Sequence, residues 1–220
     1  IMKTNINRRS ALKTVAVLGA ALTQGLGAAA AAPAPAASAK PAGQNWYKSS
    51  SVTSELVRFK NIYGFELVGN LYAPEGLNRS QKHAALVISH PFGAVRQQAA
   101  LLYAQKLAEA GFVTLAFDQS YWGESGGTPR GSILPDVYTE NFSAAVDYVG
   151  TLPYVDRLRI GALGICASGG FALAAAKIDT RIRAVATVSM YDMGAASRSG
   201  LKNALTLEQR KRILAEAAEQ

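Results

Sequence analysis

The chain has 220 residues, of which 49% are hydrophobic, and this favours one domain with a sizeable core. Its formal net charge is +8, but four basic and no acidic residues lie in residues 1–39, which leaves 19 basic and 15 acidic residues elsewhere. Because we find no cluster of basic residues with interleaved aromatic side chains, we exclude nucleic acid as a partner.

The first 39 residues have the pattern of an export signal. Basic residues precede an apolar run from Thr14 to Ala32, and small residues follow it, which is typical of a signal peptide. The adjacent Arg8 and Arg9 resemble the twin-arginine motif, which implies export of the folded protein to the periplasm. The sequence therefore predicts a periplasmic protein.

Cleavage after Ala39 leaves a linker at 40–50 and a folded domain over 51–220. The linker is predicted from its Pro- and Ala-rich start. An uncleaved membrane anchor is the alternative, because the apolar run is long enough to span a bilayer. No second apolar span follows in the sequence, so we expect no stable membrane insertion once the signal is removed.

Strands and helices alternate through the predicted domain. Two β-like runs, Ser54–Lys60 and Phe65–Tyr72, flank a short turn and predict an antiparallel hairpin. The strands predicted after it are 84–88, 112–117, 158–163 and 182–188, and the predicted helices are 98–110, 136–150 and 168–177. This alternation predicts an α/β fold with a mostly parallel sheet covered by helices on both faces. In such sheets the active site lies at the carboxyl ends of the strands.

The loop after the strand at 158–163 contains the candidate nucleophile. It reads Gly-Ile-Cys-Ala-Ser-Gly-Gly from Gly164 to Gly170. A strand that leads into a helix through a small-x-nucleophile-x-small turn is a nucleophile elbow. Gly164 and Ser168 are the small residues on either side of Cys166, the single cysteine of the chain. The helix that follows favours the thiolate form of a cysteine at its N-terminus.

Two other interpretations of this loop stay open. Cys166 and Gly170 would flank Ser168 if that serine were the nucleophile, although Ser168 would then fall inside the predicted helix. The loop would otherwise be a dinucleotide-type glycine turn, although its glycines do not fit the GxGxxG spacing.

The elbow resembles that of the dienelactone hydrolase branch of the α/β-hydrolases, in which cysteine replaces the serine of lipases and esterases. The segment from Ser89 to Gly93 is similar to the superfamily's His-Gly segment, and the loop from Asp118 to Gly127 resembles its Asp-x-x-Gly-x-Gly-x-Ser loop. The resemblance covers roughly residues 50–200 of the chain. It implies that the amides of Phe92 and Ala167 form the oxyanion hole.

The same resemblance implies a glutamate near the nucleophile. Glu124 is the residue that matches, as a possible partner of the thiol, and a solvated surface acid is the alternative reading of this side chain.

The resemblance also implies that a triad acid and then a histidine follow the nucleophile along the chain. The two histidines, His83 and His90, both precede Cys166. His90 lies at the correct end of the sheet but in the oxyanion segment, and Asp192 follows its strand closely. We therefore expect the C-terminal strands, the triad acid and the triad histidine to lie beyond Gln220.

The predicted function is hydrolysis of an ester, lactone or related acyl bond with Cys166 as the nucleophile. The alternative is a non-catalytic remnant, or a protein of the same fold that binds a small ligand. A small-molecule acyl substrate is the expected partner. The sequence has no metal-ligand cluster and no phosphate-binding loop, so we expect no cofactor. The sequence does not predict an oligomeric state.

We expect the double change Arg8→Lys and Arg9→Lys to prevent export, because a twin-arginine signal is read as an address and not as charge alone. The measurement is an immunoblot of periplasmic and cytoplasmic fractions. The control, Lys3→Arg with Lys13→Arg, keeps both the charge and the arginine pair and should be exported normally. Normal periplasmic accumulation of the twin-lysine variant would contradict this prediction.

Overall fold

A computed structural model describes residues 47–219 of the chain. The predicted signal peptide at 1–39 and the first part of the predicted linker lie outside the described residues. The chain divides into two compact units, of which the larger is Lys40–Asp192 and the smaller includes Met193–Gln220.

One six-stranded sheet forms the centre of the larger unit. Its strands are β1 (Val52–Lys60), β2 (Glu66–Pro74), β3 (His83–Ser89), β4 (Val113–Phe117), β5 (Val155–Ile165) and β6 (Ile182–Val188). Their order across the sheet is β1-β2-β4-β3-β5-β6. The β1–β2 and β2–β4 pairs are antiparallel, and the pairs among β3, β4, β5 and β6 are parallel. The predicted hairpin and the mostly parallel sheet are therefore confirmed.

Helices cover both faces of this sheet. They are α1 (Ala99–Glu109), α2 (Pro135–Thr151) and α3 (Ala167–Ile178). Neighbouring strand residues point to opposite faces. Ala116 of β4 packs in a cluster with Ala104 of α1, whereas the next residue, Phe117, packs edge-on against Phe142 of α2. The longest helix has 17 residues, and among residues 47–219 we find no helix with the length and apolar character of a membrane span.

Residues 47–50, which the sequence placed in the linker, are held against α1. The Ser49 backbone N–H donates to Oε1 of the buried Gln105 at 2.8 Å, and Gln105 Nε2 donates to the Tyr47 carbonyl at 3.0 Å. These bonds satisfy both ends of a buried amide side chain. The segment therefore belongs with the folded unit.

The smaller unit, as far as it is described, is helical. It contains α4 (Met193–Ser199), a 3-10 turn at Leu201–Asn203 and α5 (Leu207–Ala218). A capping box begins α5, because the Gln209 N–H donates to Thr206 Oγ1 and the Thr206 N–H donates to Gln209 Oε1. We did not predict α4, because its short Gly-, Ala- and Ser-rich sequence carries no helical hydrophobic period.

Candidate active site

Cys166 lies on a tight, strained turn between β5 and α3. Its backbone has φ 54° and ψ −117°, a conformation that costs a non-glycine residue about 1–3 kcal/mol. The surrounding chain holds it there. The Cys166 N–H donates to the Val188 carbonyl at 2.9 Å, and the Cys166 carbonyl accepts from the amides of Gly169 at 3.0 Å and Tyr191 at 3.1 Å. This is the backbone geometry that an elbow requires.

The turn is tight enough to require glycine at position 164. A Cβ on Gly164 would overlap the Ser168 carbonyl and would lie 2.5 Å from the Gly169 nitrogen. A Cβ on Gly169 would lie 2.7 Å from Cγ of Met190. At Gly170 the nearest atom to such a Cβ would be 3.6 Å away, which is an ordinary contact. The constraint therefore falls on Gly164 and Gly169.

Ser168 has a different position from Cys166. It lies inside α3, its side chain is buried, and its hydroxyl donates to the His90 carbonyl at 2.5 Å. The alternative in which Ser168 is the nucleophile therefore has no support in this geometry. The hydroxyl instead joins the start of α3 to the loop that carries Phe92.

Phe92 and Ala167, whose amides the resemblance assigns to the oxyanion hole, line one pocket. Ala167 is the first residue of α3, so its N–H has no partner within the helix. Among residues 47–219, neither amide donates to a backbone carbonyl outside a helix or strand. The pocket is lined by His90, Pro91, Phe92, Gly93, Trp122, Tyr138, Ala167, Ser168 and Phe171. Two open donors at one pocket can bind a single anionic oxygen.

His90 is held as a neutral ring. Its Nδ1–H donates to the Pro91 carbonyl at 2.9 Å, and its Nε2 accepts from the Gln119 N–H at 3.1 Å. Burial lowers the pKa of His90, which keeps the imidazole uncharged. Both ring nitrogens are occupied, so His90 positions the loop and is not available as a base.

His83 lies at the other end of β3, where its Nε2 donates to the Asn78 carbonyl at 2.9 Å. In the described residues neither histidine forms a hydrogen bond with the thiol. Asp192 follows the end of β6 by four residues. The expectation that the triad acid and histidine lie beyond Gln220 stays a prediction.

Glu124 is paired with a guanidinium instead of the thiol. Its Oε1 accepts from Arg96 Nη2 at 2.7 Å and from Gln97 Nε2 at 3.0 Å, and its side chain is 47% exposed. Within residues 47–219 no hydrogen bond joins Glu124 to Cys166. The structure therefore does not bring these two predicted site residues together.

Asp118 lies at the centre of the charge cluster beside the pocket. Its carboxylate is fully buried and forms an ion pair with Arg96, whose side chain is 3% exposed. The same carboxylate accepts from the backbone N–H groups of Arg96 at 2.7 Å and Glu124 at 3.0 Å. A Cβ on Gly123 would overlap this carboxylate. These contacts join the loop after β3 to the loop after β4.

Four aromatic residues that form the pocket wall were not predicted as a group. Phe92 faces Trp122 with ring centroids 6.2 Å apart, and Tyr138 faces Phe171 at 5.1 Å. Tyr138 and Phe171 lie on α2 and α3, where an aromatic residue has the same sequence pattern as a core residue. For this group, the one sequence feature that could have indicated a pocket residue was the position of Trp122 in the loop after β4. Among the described residues we find no group of three His, Cys, Asp or Glu side chains that could hold a metal ion.

Comparison with known proteins identifies the family. Residues 68–220 match the sequence pattern of the family described as "Dienelactone hydrolase family". The chain belongs to the dienelactone hydrolase family. This membership confirms the resemblance drawn from the elbow and argues against a dinucleotide-type glycine turn.

Individual relatives agree with the family assignment. The uncharacterized protein PA2218 of Pseudomonas aeruginosa is 50% identical over 182 residues, which are 80% of this chain and 48% of that protein. Its crystal structure superposes with a TM-score of 0.77 at 48% identity, over 80% of this chain and 55% of that one.

Two fungal proteins are more distant. The thiohydrolase aneE of Aspergillus aculeatus is 33% identical over 60% of this chain and 40% of its own length. The α/β hydrolase GrgF of Penicillium sp. sh18 superposes with a TM-score of 0.63 at 27% identity, over 76% of this chain and 53% of that one. The chain thus spans about half the length of the relatives it matches.

We expect Gly164→Ala to lower the free energy of unfolding, because the new methyl group would overlap backbone atoms. Overpacking of this kind typically costs about 1–3 kcal/mol, and we expect a loss near the upper end of that range. The control is Gly170→Ala in the adjoining helix α3, where the methyl group has room and helix propensity improves by up to about 1 kcal/mol. Urea denaturation measures both. Equal stability of the two variants would show that the turn is not constrained as described.

We expect Asp118→Asn to lower the free energy of unfolding by about 3 kcal/mol, the lower end of the range for a broken buried ion pair, because only the half-exposed Glu124 then remains as a counter-charge for the buried Arg96. Glu66→Gln is the control: it removes the carboxylate from the Arg58–Glu66 pair, whose side chains are 50% and 48% exposed, and should cost less than about 1 kcal/mol. Thermal and urea denaturation compare the two. A small loss at Asp118 would mean that the buried pair does not hold the loops.

Proposed function

We propose that the protein hydrolyses an ester, lactone or related acyl bond and that Cys166 is its nucleophile. The observation that carries the proposal is the position of Cys166 on the strained turn ahead of α3, directly before the open Ala167 amide. Family membership supports acyl-bond hydrolysis, and one relative, aneE, is named a thiohydrolase. On the twin arginines alone, we propose the periplasm as the compartment.

In the first half-reaction the Cys166 thiolate attacks the carbonyl carbon of the substrate. The carbonyl oxygen becomes an oxyanion, which the Phe92 and Ala167 amides bind; such a donor is typically worth about 10²–10³ in rate. The tetrahedral intermediate then collapses, the bond to the leaving group breaks, and the leaving group takes a proton. The acyl group remains on sulfur as a thioester.

In the second half-reaction water attacks this thioester. The same two amides bind the second oxyanion, and its collapse releases the carboxylic acid and restores the thiolate. A base must take the proton from the thiol and later from water. Neither histidine of this chain can serve as that base. Both ring nitrogens of His90 form hydrogen bonds, and His83 lies at the opposite end of β3. We therefore propose that the base lies beyond Gln220.

The two amides come from different loops, so catalysis needs those loops to be held together. The Ser168 hydroxyl binds the His90 carbonyl, which places the start of α3 beside the Phe92 segment. The His90 ring in turn accepts from the Gln119 amide after β4. This arrangement fixes both donors before substrate arrives, as electrostatic preorganisation requires.

We expect Cys166→Ala in the full-length protein to lower kcat/KM for a 4-nitrophenyl ester by at least about 10³-fold, because no other group replaces the nucleophile. Release of 4-nitrophenol measures the rate, and a denaturation curve checks that the variant is folded. Normal turnover in the folded variant would remove Cys166 from the mechanism. Binding of acyl compounds by a parent protein without turnover would instead favour the non-catalytic alternative.

A further inference from the structure

We infer that the pocket beside the oxyanion amides takes an uncharged, apolar acyl group, held among the rings of Phe92, Trp122, Tyr138 and Phe171. We call this set of four rings the aromatic pocket. The inference rests on the proposed function, because it names the substrate class of that same site.

Four separate elements of the fold bring these rings to one pocket. Phe92 comes from the loop after β3 and Trp122 from the loop after β4, and their centroids are 6.2 Å apart with the planes tilted by 52°. Tyr138 lies on α2 and Phe171 on α3, and this pair meets edge-to-face at 5.1 Å. The wall is therefore built mainly from ring faces and edges, which favour apolar groups.

The polar ends of two rings are turned away from a ligand. Trp122 Nε1 donates to the Ser132 carbonyl at 3.1 Å, and the Tyr138 hydroxyl donates to the same carbonyl at 3.0 Å. Burial raises the pKa of Tyr138, so the phenol stays neutral. One carbonyl with two lone pairs thus satisfies both donors.

The remaining polar side chains of the pocket are also occupied. His90 uses both ring nitrogens, and the Ser168 hydroxyl donates to the His90 carbonyl. No Asp, Glu, Lys or Arg is among the nine residues that line the pocket in the described part of the chain. The nearby Arg96 guanidinium binds Asp118, Glu124 and Asn70.

The pocket has a free volume of only about 10 Å³, so a ligand that offers one oxygen to the two amides must place its apolar atoms against the rings at the pocket mouth. A carboxylate on the acyl group would lose its water without gaining a counter-ion, which is strongly unfavourable. We assign the aromatic pocket to the acyl group, and not to the leaving group, because the acyl group stays bonded to Cys166 through both half-reactions. The oxyanion amides that border the pocket act on that same carbonyl.

The test compares two 4-nitrophenyl esters with the full-length protein, the butyrate and the hemisuccinate. They share a leaving group and differ by a methyl group against a carboxylate at the end of the acyl chain. We expect kcat/KM for the butyrate to be at least about 100-fold higher, after subtraction of the enzyme-free rate of each ester, which for the hemisuccinate includes attack of its own carboxylate on the ester carbonyl. Equal rates, or a faster reaction of the hemisuccinate, would overturn the inference.

A binding measurement separates this inference from the proposed function. Calorimetry on the Cys166→Ala protein compares the neutral amide N-phenylbutyramide with the anionic N-phenylsuccinamate, and needs no turnover. Tighter binding of the neutral amide supports the pocket assignment even if neither ester is hydrolysed, which would count against the proposed function alone. Equal or tighter binding of the anionic amide contradicts the assignment whatever the rates are.

A charge placed at the pocket mouth should change the selectivity. Phe92 is 42% exposed, so Phe92→Arg keeps the backbone amide and adds a cation without a new cavity in the core. We expect it to raise the hemisuccinate-to-butyrate ratio of kcat/KM at least about tenfold. The matched control is Tyr63→Arg in the β1–β2 turn, which is 51% exposed and does not line the pocket. The same ratio in both variants would contradict the pocket assignment.

Discussion

The buried carboxylate of Asp118 fixes the two loops that form much of the site. It binds the Arg96 guanidinium and accepts backbone N–H groups from Arg96 and Glu124, so it joins the loop after β3 to the loop after β4. Phe92 lies in the first loop and Trp122 in the second. Because both charges are buried, separation of the loops would break a buried ion pair, and this opposes separation of the segments that carry Phe92 and Trp122.

The elbow adds the third loop to this frame. The backbone atoms around Gly164 leave no room for a Cβ there, and Cys166 follows the end of β5 with a positive φ, directly before the first turn of α3. The buried Ser168 hydroxyl then ties α3 to the His90 carbonyl. The positions of Cys166 and of both open amides are thus set by contacts that are local to three neighbouring strand ends.

The sequence predicted those features whose pattern lies within a single segment of the chain. Alternating strand and helix periods predicted the sheet, and the small residues around Cys166 predicted the turn. The partner of Glu124 was not predictable in this way, since Arg96 lies 28 residues earlier and only the parallel β3–β4 pair brings the two loops together. Tyr138 and Phe171 were missed because a helix presents pocket-lining and core aromatic residues with the same spacing.

Mass spectrometry of the full-length protein tests directly whether Cys166 carries the acyl group. The protein is mixed with excess 4-nitrophenyl butyrate, quenched in acid within the first turnover and digested with trypsin. The peptide 160–177 contains both Cys166 and Ser168, and fragment ions between them locate the added mass. We expect a butyryl group on Cys166 alone. A butyryl group on Ser168 or on another peptide would contradict this expectation.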